Sequence, residues 1–285
     1  MSAIKTVSVI GASGNIGAPT VQALLESGFQ VTALTRECST STFPPGVNVK
    51  SVVFASLDSR LIVDACVAVG VKRFIPSEFG VADYKSGLPY PEMAGAIQGK
   101  LDLLDYLQSK SDANPAFTWT RICTGLFLEW ALTVGHLRFD KAAHAAGIFD
   151  SGDEPFHVSS YPFIGKAMAA VLSRPKETAN RYLVIASFTA SQNKLLHVIE
   201  ELYGQSWTVE HLSGTEIRKA AEKETREKGR DAGIRPYQDL LACFLYADGM
   251  GAHAKPQYTD NKLLGFEEDV EDPKETLREW LAGRI

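Results

Sequence analysis

The chain has no long apolar run, no paired cysteines and no excess of either charge, and each absence removes a class of function. Its 285 residues contain no uninterrupted stretch of about 18 apolar positions, the least that a membrane-spanning helix requires. Met1 to Lys5 leads at once into a five-residue apolar strand and then glycines, without the apolar core of a secretory signal. Cys38, Cys66, Cys123 and Cys243 lie far apart and form no Cys-x-x-Cys, which reads as reduced thiols in a cytoplasmic protein. Lys and Arg total 29 against 34 Asp and Glu, a formal charge of −5, so no global positive field draws a nucleic-acid backbone or an anionic membrane. The six histidines show no metal-ligand spacing, and no Gly-x-Ser-x-Gly nucleophile elbow occurs. With 45% hydrophobic and 22% charged residues, what remains is a globular chain able to bury a sizeable core, with a small molecule as its partner.

The order of elements predicts an α/β fold. A β-branched run, Thr6 to Ile10, meets a glycine-rich turn and then a helical pattern from Ala18 to Ser27 that closes on Gly28. Strands follow at Gln30 to Leu34 and Val47 to Phe54, a helix at Leu57 to Val69, and another strand at Arg73 to Pro76. This alternation specifies a doubly wound, Rossmann-like parallel sheet with helices on its faces. A helix at about Met93 to Ser109, strands at Phe117 to Ile122 and Tyr182 to Ala186, and a helix at Ile164 to Ser173 continue it. Past about residue 187 helices dominate: Ser191 to Tyr203, Thr215 to Lys228, Gln238 to Ala247 and Pro273 to Leu281. The expected organisation is a dinucleotide-type domain over 1–155 and a smaller, mostly helical lobe over 156–285, with about 164–186 returning to the main sheet.

Gly11-Ala12-Ser13-Gly14-Asn15-Ile16-Gly17 carries the strongest chemistry, because it lies directly between a strand and a helix. Glycine lets the backbone approach a pyrophosphate, the helix start supplies unpaired N–H groups, and Gly17 lets the helix lie close to the sheet. The second strand ends in Thr35-Arg36, where NAD-specific proteins place an acid on the ribose hydroxyls. A guanidinium there suits a 2′-phosphate and favours NADPH, although the adjacent Glu37 carries the opposite implication. Tyr106 and Lys110 form a Tyr-x-x-x-Lys pair, but a helix after a parallel strand runs back from the active edge, and Lys110 lies roughly 15 Å below Lys100. Lys100, in the first half of that helix, is the better-placed proton-handling candidate. Ser77 and Phe79, in the run Pro76-Ser77-Glu78-Phe79-Gly80, stop a strand on the active edge and either line a pocket or cap a turn. Phe127, in Thr124 to Trp130, stands at the next strand end, as substrate border or as core.

Gly11 to Gly17, Thr35-Arg36, the run Gly70-Val-Lys-Arg-Phe-Ile-Pro-Ser-Glu-Phe-Gly80 and Lys100 together resemble the NmrA-like and isoflavone-reductase-like branch of the atypical short-chain dehydrogenases, relatives of the phenylcoumaran benzylic ether reductases. The resemblance implies that the glycine loop and Arg36 bind NADPH and that Lys100 is the catalytic residue. It implies an NADPH-dependent oxidoreductase acting on a small aromatic or conjugated metabolite. The alternatives are a non-catalytic NmrA-type regulator that senses NAD(P)(H), or a degenerate reductase paralogue. The chain departs from the family between Arg36 and Pro76, where about one strand and one helix are missing. Because a gap inside a parallel sheet leaves two rows of backbone groups unpaired, Val47 to Phe54 is predicted to fill the central slot and leave the edge vacant. Against this stands the connection from Arg36, about ten residues with Pro44 and Pro45, where parallel crossovers usually need a dozen or more.

Overall fold

The computed structural model describes residues 3–53, 58–80, 94–250, 254 and 258–285. The first half runs β1 (Thr6–Ile10), α1 (Gly17–Glu26), β2 (Gln30–Arg36), β3 (Asn48–Val52), α2 (Ser59–Ala68), β4 (Arg73–Phe74), α3 (Ala94–Ala113) and β5 (Thr118–Cys123). There follow β6 (Leu126–Phe127), α4 (Leu128–Thr133), β7 (Phe139–Asp140), β8 (Ala145–Phe149), β9 (Phe156–Ser159), α5 (Tyr161–Ser173) and β10 (Arg181–Val184). The chain closes with β11 (Phe188–Ala190), α6 (Gln192–Tyr203), β12 (Thr208–Leu212), α7 (Gly214–Lys228), α8 (Arg235–Tyr246), α9 (Asn261–Leu264) and α10 (Lys274–Leu281). It is a Rossmann-like α/β fold, as the sequence predicts. The predicted positions Phe54, Leu57 and Met93 lie outside the described residues.

The parallel sheet is divided into two three-stranded halves, β1-β2-β3 and β10-β5-β4. This overturns the predicted placement of Val47 to Phe54. β3 pairs in parallel with β2, Thr32 opposite Asn48 through Arg36 opposite Val52, and so takes the outer slot. The slot between β1 and β4 holds no strand among the described residues. The reason is reach. From Arg36 the short connection need only return along β2 and step sideways by one strand spacing of about 4.8 Å, whereas the central slot lies beyond β1, twice as far. Proximity decides against the arrangement that would pair more backbone. The consequence shows on β1, whose residues alternate between exposed and half-buried, with Ile10 47% exposed at its end.

A helix holds the halves together. α5 starts cleanly because the Ser160 hydroxyl accepts from the Phe163 N–H at 3.1 Å and Pro162 occupies its first turn. It sends Ala169 and Leu172 into the core beneath β1 and β2, and Phe163, Ala167 and Val171 into the core beneath β5 and β10. Close contact with α1 depends on Gly165, where a Cβ would lie 2.5 Å from the Pro19 carbonyl oxygen. On the other face, α2 and α3 bury Val63, Leu103, Leu104 and Leu107 against Phe117 and Trp119. The C-terminal part adds two small sheets, β11-β9-β6 and β12-β8-β7, to the predicted helices.

Candidate functional site

The turn between β1 and α1 is built around its glycines. Gly11 adopts φ +72°, a left-handed conformation that side chains disfavour, and its carbonyl accepts from the Gly14 N–H at 3.0 Å. A Cβ on Gly17 would stand 2.0 Å from that same carbonyl oxygen, so helix and strand meet at a distance open only to glycine. α1 follows its cap residue Ile16 with no side chain bonded to its first N–H groups; of these, the Ala18 N–H donates to the Gly14 carbonyl at 2.9 Å and Pro19 has none. Ala12 is buried beneath, while Ser13, Gly14 and Asn15 are exposed and Ile16 is half-buried. Gly17→Ala must displace the Gly11 backbone, and if the turn carries a dinucleotide its affinity is expected to fall by about tenfold or more. Fluorescence titration of the variant checks this, and unchanged affinity would separate the turn from cofactor binding.

Arg36 ends β2, exposed, and the chain folds back at once: the Ser39 N–H donates to the Arg36 carbonyl at 3.0 Å. Ser39 then donates through its hydroxyl to Ser41 at 3.1 Å, and Ser41 to Ser13 at 3.0 Å. These hydroxyls tie the arginine-bearing loop to the glycine turn.

Asn15 makes the link to the rest of the crevice. Its side-chain amide donates to the Tyr161 hydroxyl at 3.2 Å, across 146 residues of sequence. The Tyr161 ring lies 5.9 Å from that of Phe127, and its backbone N–H donates to Glu129 Oε1 at 2.9 Å. Burial pushes the Glu129 carboxyl up, against the hydrogen bonds from its own backbone and that of Tyr161, and the nearby Glu271 adds to the rise. Burial also raises the Tyr161 hydroxyl, opposed by the Asn15 hydrogen bond. Sequence reasoning names Asn15 and Phe127 but misses Tyr161 and Glu129; the only local signal is Ser160-Tyr161-Pro162, a helix start.

Lys100 sits on the part of α3 that faces the carboxyl ends of the strands. One turn earlier Ile97 joins the core that contains Leu126, just past β5, and one turn later Leu103 and Leu104 pack with Trp119 in the body of β5. Lys100 is half-buried between these levels. Ser77 is exposed and Phe79 half-buried at the exit of β4, where Glu78 is buried against Arg121 at 3.3 Å. Gly80 runs beside Cys123, its carbonyl accepting from the Thr124 N–H at 3.1 Å, which fixes the Ser77–Gly80 stretch along the end of β5.

Tyr106 and Lys110 are engaged elsewhere. Both hold Asp64 of α2, the tyrosine hydroxyl at 2.7 Å and the ammonium at 2.6 Å, and so pin α3 to α2. Among the described residues no cluster of metal-ligand type occurs and no helix is long and apolar enough to cross a membrane.

The comparisons with known proteins agree with this architecture. The model of the NmrA-like family matches residues 46–228, beginning after the glycine turn. Oxidoreductase poxI of Penicillium oxalicum is 30% identical, covering 92% of this chain and 90% of its own. That alignment runs over 288 positions, more than this chain contributes to it, so the relative carries residues without a counterpart here. Leucoanthocyanidin reductase of Vitis vinifera, solved as a binary complex with NADPH, superposes with a TM-score of 0.75 at 17% identity over 97% of this chain and 99% of its own. An isoflavone reductase structure superposes with a TM-score of 0.68 at 16% identity over the full length of both chains. With the family model covering most of the chain and a relative at 30% identity spanning nearly all of it, this protein belongs to the NmrA-like family.

Proposed function

We propose that the protein is an NADPH-dependent reductase that passes hydride to a small aromatic or conjugated metabolite, with the proton handled at Lys100. The observation that carries this reading is the close approach at Gly17, because a turn open only to glycine, ahead of an uncapped helix start, fits the pyrophosphate of a dinucleotide. Arg36, with Ser13, Ser39 and Ser41, suits the extra phosphate of NADPH. The bound cofactor supplies the hydride. Lys100 holds a proton on Nζ at the crevice, within reach of the reacting end of a substrate bound there. The rings of Phe127 and Tyr161 offer planar apolar surface to an aromatic substrate, and Ser77 and Phe79 border the same crevice from the exit of β4.

Arg36→Ala tests the cofactor assignment. Charge-assisted hydrogen bonds contribute about 1.5–3 kcal/mol, so the preference for NADPH over NADH is expected to narrow by roughly 10- to 100-fold, chiefly through weaker NADPH binding. A ratio of dissociation constants equal to that of the unaltered protein would remove Arg36 from the site. The open edge of β1 favours a second reading, a protein that senses NAD(P)(H) without turnover, since a divided sheet carries its cofactor on a less supported strand. The two readings separate on turnover, which only the first requires.

A further inference from the structure

Among the described residues the slot between β1 and β4 holds no strand, and one side chain spans its carboxyl edge. α5 packs into the cores of both sheet halves and so lies along the slot. Its last residues, Leu172 and Ser173, border the same groove as Ile4 and Lys5 at the start of β1, while Gly165, nearer its own start, meets Pro19 in the first turn of α1. The helix therefore runs antiparallel to β1. Its 13 residues rise about 18 Å, which brings Tyr161, the first of them, to the carboxyl edge of the sheet.

There Tyr161 touches both halves. Its hydroxyl accepts from the Asn15 amide of the glycine turn at 3.2 Å, and its ring lies 5.9 Å from that of Phe127, just past β5. The backbone is fixed on two sides: the Tyr161 N–H donates to Glu129 at 2.9 Å, and the preceding Ser160 hydroxyl donates to Glu271 at 2.6 Å. A hydroxyl has one proton to donate and lone pairs to accept with. At Tyr106 the proton goes to Asp64, at 2.7 Å. At Tyr161 the bond from Asn15 uses a lone pair, and the proton meets no acceptor among the described residues. Burial raises this hydroxyl, so it keeps its proton.

Placement decides what that proton can meet. Arg36, Ser39 and Ser41 reach the glycine turn from the β2 side, through the bond from Ser41 to Ser13. Tyr161 reaches it from the β5 side. A dinucleotide crossing such a turn places its adenosine half toward β2 and its nicotinamide half over the crevice.

We propose that Tyr161 is a cofactor-contacting residue: its hydroxyl, oriented by Asn15, donates to an acceptor on the nicotinamide half of NADPH across the vacant slot. The proposal rests on the dinucleotide reading above, and its test requires no turnover.

The test is calorimetric titration of the full-length protein with NADPH and with adenosine 2′,5′-bisphosphate, which carries the 2′-phosphate but lacks the nicotinamide half. Tyr161→Phe keeps the ring against Phe127 and removes the donor. NADPH affinity is expected to fall about five- to tenfold, and affinity for the bisphosphate to stay within about twofold of the unaltered protein. Unchanged NADPH affinity overturns the proposal. An equal loss for both ligands also overturns it, since Tyr161 would then be a strut for the glycine turn. If the unaltered protein binds neither ligand, the dinucleotide reading falls and this contact falls with it. Should the variant fold poorly by circular dichroism, acetylation of the unaltered protein with N-acetylimidazole, followed by mass spectrometry of the Tyr161 peptide, replaces it. NADPH is expected to protect the hydroxyl and the bisphosphate to leave it reactive; equal labelling with the two ligands overturns the proposal.

Discussion

Lys100→Ala is expected to lower turnover by about 100-fold or more while leaving NADPH affinity within a few-fold of the unaltered protein. A positioned proton donor contributes typically 10²- to 10⁴-fold, and its removal acts on the chemical step and not on binding made at the glycine turn some distance away. The residue sits half-buried between Ile97 and Leu103, on the helix half that faces the strand ends, so truncation removes the ammonium without opening the cores on either side. Measurement of NADPH consumption with the best substrate from a screen of conjugated aromatics, at saturating cofactor, gives the result. An unchanged rate would dismiss Lys100 from the chemistry. A rate lost together with cofactor affinity would assign it to binding instead.

Acid is expected to destabilise the fold steeply between about pH 6.5 and 4. His136 and His157 are buried, 4% and 5% exposed, and burial lowers both to about 4, with the Arg138 charge helping at His136 and Asp269 opposing at His157. Each is neutral in the folded chain over a range in which the unfolded chain, at the ordinary 6.5, binds a proton. Stability from this source is complete above about 6.5, falls as pH drops, and levels off below about 4. At about 1.4 kcal/mol per unit, each histidine accounts for roughly 3 kcal/mol, a large share of the stability of a typical domain. Glu78 and Glu129 act in the opposite sense, since burial raises both carboxyls and their protonation favours the folded state as pH falls. They oppose the effect of the histidines. Urea midpoints at pH 7.5 and 4.5 measure the difference. A midpoint that stays constant, or a double variant His136→Gln/His157→Gln with the same slope, would contradict this origin.

Local pattern made the glycine turn, the helices α6, α7, α8 and α10 and the parallel strands around β5 legible, because each is specified within a dozen residues or so by period, caps and turns. The place of β3 was not. A strand of Val and Asn reads alike in any slot, and the choice between edge and centre turned on how far eleven or so connecting residues reach, a question of three dimensions. The strands β7, β8, β11 and β12 escaped notice because two to five residues are too few to establish a period of two. In the site, the same division holds. The candidates Gly11, Gly17 and Arg36 are read from their positions in the sequence, whereas Tyr161 acquires meaning only when α5 brings it to Asn15. The misleading Tyr106 and Lys110 pair shows the converse, a motif spacing satisfied by a contact between two helices.

The central claim is that a sheet divided between β1 and β4 still presents a working dinucleotide site. Titration of the full-length protein with NADPH and with NADH, followed through nicotinamide emission and the four tryptophans, tests it most directly. Saturable binding in the micromolar range with NADPH preferred is the expected result. Absence of binding by either nucleotide would contradict the claim and mean that the vacant central slot has disabled the turn that the glycines build.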